Sequence, residues 1–121
     1  MDSKAIEGVG LFRHMKGYWE AEPNALRGAL LSIETQDITS DIEERVKIVC
    51  AVWSRLIPQC REFIEANRKK YQLQATQFTN PNVFINSGNV WAIYFDTESD
   101  IDAVVGVEFR DDEPFQLIIG D

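Results

Sequence analysis

The fold is decided by residues 40–72, SDIEERVKIVCAVWSRLIPQCREFIEANRKKYQ, which have strand-like sequence on both sides. Their apolar positions are 42, 46, 49, 53, 56, 60 and 63, in alternating steps of four and three residues. This spacing places them on one face of an amphipathic helix. Ser40 followed by Glu43 matches a capping box, which predicts the start of the helix at this point.

Pro58 interrupts this helical pattern. Proline lacks a backbone N–H, and its ring clashes with the carbonyl four residues earlier, here that of Ser54. We therefore expect a kink or a break into two helices at Pro58. Trp53 lies on the apolar face and is predicted to be a core residue. The spacing could also suggest a coiled coil, but the strand signals on both sides favour a helix packed across a sheet.

Short alternating segments bounded by turn residues predict strands before and after this helix. Three precede it, within GVGLFRHM (8–15), GYWEAEP (17–23) and GALLSIETQ (28–36), and about four follow it, within NVFIN (82–86), VWAIYFDT (90–97), AVVGVEFRD (103–111) and FQLIIGD (115–121). We predict one α+β domain over residues 1–121. Its antiparallel meander has about six to seven strands, and the helix is inserted between strands 3 and 4 and packed on one face.

Charge is distributed unevenly along the chain. Residues 1–40 carry a net charge of −2, residues 41–71 carry +2, and residues 72–121 carry −8, with nine acids and one base. Nucleic acid is not an expected partner, because phosphate binding depends on clustered Lys and Arg. The same field would attract a basic protein surface.

Several features indicate a protein that stays in the cytoplasm. No apolar run approaches the ~20 residues of a membrane helix, and MDSKAIEGVG has no basic region followed by an apolar block. Cys50 and Cys60 are ten positions apart on one predicted helix, roughly 15 Å, which is beyond disulfide reach. We expect both to be small buried apolar residues, and we expect no cofactor.

Catalytic motifs are not apparent. No G-x-S-x-G, P-loop or dinucleotide-binding pattern occurs, and His14, the one histidine, is expected to be a surface or half-buried strand residue. Asp96, Glu98, Asp100 and Asp102 alternate as in a calcium loop, but Ile101 replaces its glycine and Val107 its final glutamate. We predict a protein that is not an enzyme and has no metal site.

Two acidic loops therefore stand out as candidate partner-binding sites. The predicted contact residues are Asp96, Glu98, Asp100 and Asp102 in the first loop and Asp111, Asp112 and Glu113 in the second. Because loops that join successive strand pairs of a meander fall at opposite ends of the sheet, these residues need not form one patch. Each loop could dock a basic partner, or could serve only as a solvated hairpin turn.

The arrangement of motifs resembles a group of small acidic bacterial proteins. The residues that carry the resemblance are GYWEAE (17–22), ALLSIET (29–35), the amphipathic helix, and WAIYFDTESDIDAVVGVEFRDDEPFQLIIGD (91–121). Members of this type occur as immunity proteins beside polymorphic or contact-dependent growth-inhibition toxins. The resemblance implies a specific toxin inhibitor, and it carries over no active-site residue.

Three functions remain open from the sequence. The first is a cytoplasmic immunity protein, monomer or homodimer, that neutralises one cognate toxin domain, with a basic nuclease as a fitting target. The second is a non-enzymatic interaction or dimerising module with another role. The third is a metal hydrolase that uses the four carboxylates of the first acidic loop.

Overall fold

An eight-stranded sheet with a long helix against one face makes up the computed structural model, which describes residues 2–120. The strands are β1 (Ser3–Ile6), β2 (Gly10–His14), β3 (Trp19–Ala21), β4 (Leu31–Ile33), β5 (Phe78–Ile85), β6 (Val90–Thr97), β7 (Val104–Arg110) and β8 (Glu113–Gly120). The helix α1 spans Ser40–Tyr71, and a short 3-10 helix spans Asn24–Leu26.

The strands lie side by side in the order of the chain, and one pair is parallel. β4 and β5 run in the same direction, with Leu31 beside Val83 and Ile33 beside Ile85. The other neighbouring strands are antiparallel. A parallel pair needs a long crossover connection, and α1 supplies it.

The predicted α+β class is confirmed, but three details of the predicted topology are wrong. The sheet has eight strands, α1 lies between strands 4 and 5, and the sheet is not antiparallel throughout. The missed strand is β1, whose four residues include one buried apolar side chain, Ile6. It forms a hairpin with β2, and Gly8 in the turn has a positive φ of 78° that glycine adopts at little cost.

The apolar stripe of α1 packs on the sheet nearly as the sequence indicates. Ile42, Val46, Val49, Trp53, Leu56, Cys60 and Ile64 are buried, so the stripe ends at Ile64, and Phe63 is half-buried. Trp53 is 7% exposed, which confirms its predicted place in the core. The face of the sheet that packs against α1 contributes Trp91 and Phe109, whose ring centroids are 4.1 Å apart in a stacked arrangement.

The N-terminus and the bend of α1 differ from the prediction. Thr39 occupies the N-cap position without a side-chain capping hydrogen bond, so the capping box predicted for Ser40 and Glu43 is not formed. The Glu43 carboxylate lies near the ammonium groups of Lys4 and Lys47 instead. The helix continues through Pro58, and its non-helical residue is Val52, six positions earlier. Pro58 is exposed, so water can satisfy the carbonyl that it leaves without a partner.

Candidate protein interface

The first acidic loop joins β6 to β7 and uses Glu98 as an internal hydrogen-bond acceptor. The Glu98 carboxylate accepts from the backbone N–H groups of Thr76 and Gln77, at 2.9 and 3.0 Å, and from the Thr76 hydroxyl at 2.8 Å. The backbone N–H of Gln77 is the main cause that lowers the pKa of Glu98, from 4.5 to about 2, and the Thr76 donors add to it. Glu98 therefore attaches its loop to the segment that follows α1.

Asp102 in the same loop has a similar structural role but is buried. Its Oδ2 atom accepts from the backbone N–H groups of Gln74 and Ala75 at 2.8 and 3.2 Å, and the residue is 3% exposed. Burial opposes ionisation, but hydrogen bonds from Ser99 and from these two N–H groups hold the pKa of Asp102 below its ordinary value. Asp102 therefore does not reach the surface, where a residue that contacts a partner has to lie.

Asp96 and Asp100 are exposed carboxylates of the first loop region, as is Glu98. Asp96, at the end of β6, accepts a hydrogen bond from the Asn80 side-chain amide at 3.1 Å. Asp100 makes no side-chain hydrogen bond or ion pair with residues 2–120. In that part of the chain, no group of three or more His, Cys, Asp or Glu residues is arranged to hold a metal ion. Two of the four carboxylates, those of Glu98 and Asp102, are bonded to the backbone of the segment that follows α1.

The second acidic loop is the tight turn between β7 and β8, and Asp112 ties it to the helix. Its carboxylate lies 2.8 Å from a guanidinium nitrogen of Arg45, while Arg45 Nε donates to the Gly88 carbonyl at 2.9 Å. The Arg45 side chain is 7% exposed, and its guanidinium lies 5.5 Å from the centre of the Trp91 ring. A buried arginine with these three partners joins α1 to two turns of the sheet.

Asp111 and Glu113 are exposed and contribute little through their side chains. Asp111 has a positive φ of 56°, and its backbone groups bond to Asn89 and to the Trp91 indole. Within residues 2–120, neither the Asp111 nor the Glu113 carboxylate has a side-chain partner. The two acidic loops lie at opposite ends of β7, roughly 20 Å apart at ~3.3 Å per residue, so they do not form one continuous patch.

The face of the sheet that turns away from α1 carries many exposed and half-buried side chains; we call it the open face. Alternation along the strands assigns two cross-strand rows to it. One row contains Leu11, Glu22, Leu30, Asn82, Tyr94, Gly106 and Ile118, and the other contains Arg13, Glu20, Ser32, Phe84, Ala92, Glu108 and Gln116. Part of the open face is therefore apolar, in addition to the face that packs against α1.

Two aromatic side chains occupy the middle of the open face. The Phe84 and Tyr94 rings are 5.2 Å apart, and both residues are half-buried. The Tyr94 ring lies across Gly106: a Cβ atom at that glycine would come within 2.7 Å of the ring. Glycine at 106 thus leaves room for the Tyr94 ring. Burial, together with the nearby Glu108 carboxylate, raises the pKa of the Tyr94 phenol. The aromatic pair is held in place before any partner arrives.

Charged residues surround this aromatic pair, and most are acidic. Glu20, Glu22, Asp96 and Glu108 point to the open face or its border, against two bases, Arg13 and Arg110. A shallow depression of about 300 Å³ at one side is lined by Leu11, Arg13, Glu20, Ala21, Glu22 and Leu30. The sequence assigns these acids to strands. The alternation of side chains along a strand does not show which face of the sheet α1 covers.

A groove of about 500 Å³ runs along the other side of the molecule, between α1, β6 and the turn that follows β7. Its lining includes Arg45, Val52, Arg55, Trp91 and Asp112. Because Arg45 is already bonded to Asp112 and Gly88, its charge is satisfied within the protein. One sign of this role is visible in the sequence, because Arg45 falls beside the apolar stripe, between Ile42 and Val46.

The remaining reactive side chains have structural positions. His14 is half-buried on β2, as expected, with its ring 4.7 Å from that of Trp19. Cys50 is half-buried and Cys60 is buried, both as free thiols, and burial raises the pKa of Cys60 to about 12. A thiol with this pKa stays protonated at neutral pH and is a poor nucleophile.

Comparisons with protein-family models, characterised proteins and solved structures give no match to this chain. Within residues 2–120, no helix is both long enough and apolar enough to cross a bilayer.

Proposed function

We propose that this chain is a non-enzymatic immunity protein that acts in the cytoplasm by binding and neutralising one toxin domain. The observation that carries the proposal is the concentration of negative charge in the C-terminal strands and the loops that join them. Residues 72–121 hold nine acids and one base. Several of these acids, including Asp100, Asp111 and Glu113, are exposed and have no side-chain partner within residues 2–120.

Such a field acts mainly on the rate of association. Complementary charges steer a basic partner and speed its encounter, whereas buried apolar contacts determine how long the complex lasts. A nuclease toxin fits this description, because enzymes that bind phosphate backbones carry clustered Lys and Arg. An acidic protein seated over such a cleft would block its substrate.

The alternative is a dimerising module, for which the edge strand β8 is the natural surface. Two features oppose pairing at this edge. Pro114 has no N–H to donate, and the Leu117 N–H already donates to the Tyr71 hydroxyl at 3.2 Å. Proline and covering side chains are devices that protect edge strands from pairing with a second chain. We therefore favour the inhibitor over the dimerising module.

The proposal is tested by a survival assay. The C-terminal domain of the protein encoded immediately upstream of this chain is expressed in bacteria, with and without this chain, and surviving cells are counted. The expected result is death that co-expression of this chain prevents. A Trp53→Ala variant, which lacks a core side chain, serves as the control for a poorly folded protein. Toxicity that the wild-type chain leaves unchanged, or no toxicity, would contradict the proposal.

A further inference from the structure

We infer that the partner docks on the open face of the sheet, and that it presents a basic surface with an apolar centre. This inference rests on the proposed function and specifies its interface. It differs from the view that the two acidic loops are themselves the contact sites. Three independent features of the open face support it: its size, its aromatic centre and its charge.

The size of the open face matches that of a protein interface. At ~4.8 Å between strands and ~3.3 Å per residue, β1 to β8 present roughly 700 Å². One partner in a standard protein complex contributes ~800 Å². The face also reaches both acidic loops, since these lie at the two ends of β7. Asp100 and Asp111 would then stand at opposite borders of a single interface.

The aromatic centre has the properties of an anchor. Phe84 and Tyr94 are in contact, and the Tyr94 ring is fixed by the space above Gly106. A ring that is already immobile loses little conformational entropy on binding. Residues of high binding energy are enriched in tyrosine and lie near the middle of an interface. Leu30 and Ile118 extend this apolar zone across the same cross-strand row.

The charges on the two sides of the molecule determine which side a basic partner meets. The open face carries four acids and two bases around the aromatic pair, as described above. The helix on the opposite side has five acids and seven bases, a net charge of +2. A basic protein is therefore attracted to the open face and is not attracted to α1. Aromatic residues inside an acidic border match a partner whose arginines and lysines surround an apolar patch.

The experiment measures association and dissociation rates with the upstream-encoded toxin domain as the probe. Glu20→Gln with Glu108→Gln removes two charges from the open face. Glu44→Gln with Glu62→Gln removes the same charge from the exposed side of α1 and is the matched control. We expect the first pair to slow association roughly tenfold at low salt and to weaken its salt dependence. The control pair should change the rate less than about twofold.

A second variant tests the aromatic centre. Phe84→Thr with Ile118→Thr keeps residues of high strand propensity and removes two apolar contacts. We expect dissociation to become roughly 30-fold faster, because central interface residues carry most of the binding energy. The melting temperature of each variant is measured to confirm that it folds. For a variant that does not fold, Phe84→Leu is used, which should still speed dissociation.

The outcomes separate this inference from the proposed function. If the wild-type chain does not bind the toxin domain, both fail. If it binds and the open-face variants behave like the wild type, or the α1 variants lose as much, only the inference fails. Self-association of the wild-type chain that the Phe84 and Ile118 changes abolish would assign the face to a second copy and would also overturn it.

Discussion

The two acidic loops at the ends of β7 look alike in sequence but are used differently. In the loop between β6 and β7, Glu98 and Asp102 accept hydrogen bonds from four consecutive residues, 74–77, of the segment that follows α1. In the turn between β7 and β8, Asp112 makes one ion pair, and its side chain remains 75% exposed. The difference shows that the role of a carboxylate depends on the donors near it. Backbone N–H groups outside regular structure need acceptors, and the first loop lies beside four such residues.

The sharpest test of this comparison is the replacement of Asp102 by alanine. Two N–H groups, of Gln74 and Ala75, would lose their acceptor in a buried position. We expect a loss of about 1–3 kcal/mol in the free energy of unfolding, measured by urea denaturation. Asp100→Ala, two residues away and exposed, should change it by less than about 0.5 kcal/mol. Equal effects of the two changes would show that the loop carboxylates are equivalent.

A second test uses the pH dependence of stability. Because the folded state lowers the pKa of Glu98 from 4.5 to about 2, ionised Glu98 contributes stability above pH ~4.5 that is lost as the pH falls towards 2. The melting temperature of Glu98→Gln should therefore decrease less than that of the wild type between pH 6 and pH 3. Glu113→Gln, in the other loop, should follow the wild type. If the melting temperature falls equally with pH in all three proteins, Glu98 does not make this contribution to stability.

The smallest effect is expected at Asp112. Replacing it with asparagine breaks the pair with Arg45 but leaves the arginine bonded to Gly88 and close to Trp91. Because the carboxylate is largely exposed, we expect a loss below about 1 kcal/mol in the free energy of unfolding, smaller still at high salt. Asp111→Asn is the control, since asparagine tolerates the positive φ at that position. A loss as large as that of Asp102→Ala would remove the contrast between the loops.

Sequence reasoning was most successful where the signal is periodic. The amphipathic face of α1, Trp53 in the core and the C-terminal strands follow from spacing that repeats along the chain. The parallel pairing of β4 with β5 is not encoded in either strand alone, because the two are brought together only by the crossover helix. β1 was missed because Ser3–Ile6 has too few apolar residues to show alternation.

The candidate interface was predictable in charge but not in geometry. The excess of acids after residue 72 can be counted directly, whereas the burial of Asp102 depends on N–H groups 27 and 28 positions away. Arg45 is similar, because its partner Asp112 is separated from it by 67 residues. The open face could not be identified before the side covered by α1 was known, since Trp91 and Tyr94 give β6 aromatic residues on both sides.

The single parallel pair of strands also affects how the protein unfolds in parts. Three residue pairs between β4 and β5 connect the N-terminal strands to the C-terminal four, helped by the Asn82 side chain that accepts from the Leu30 N–H. β5 to β8 are longer and joined by local turns. We expect amide hydrogen exchange to resolve two cooperative units, with β1 to β4 exchanging at lower free energy than β6 and β7. Uniform protection across all eight strands would contradict this division.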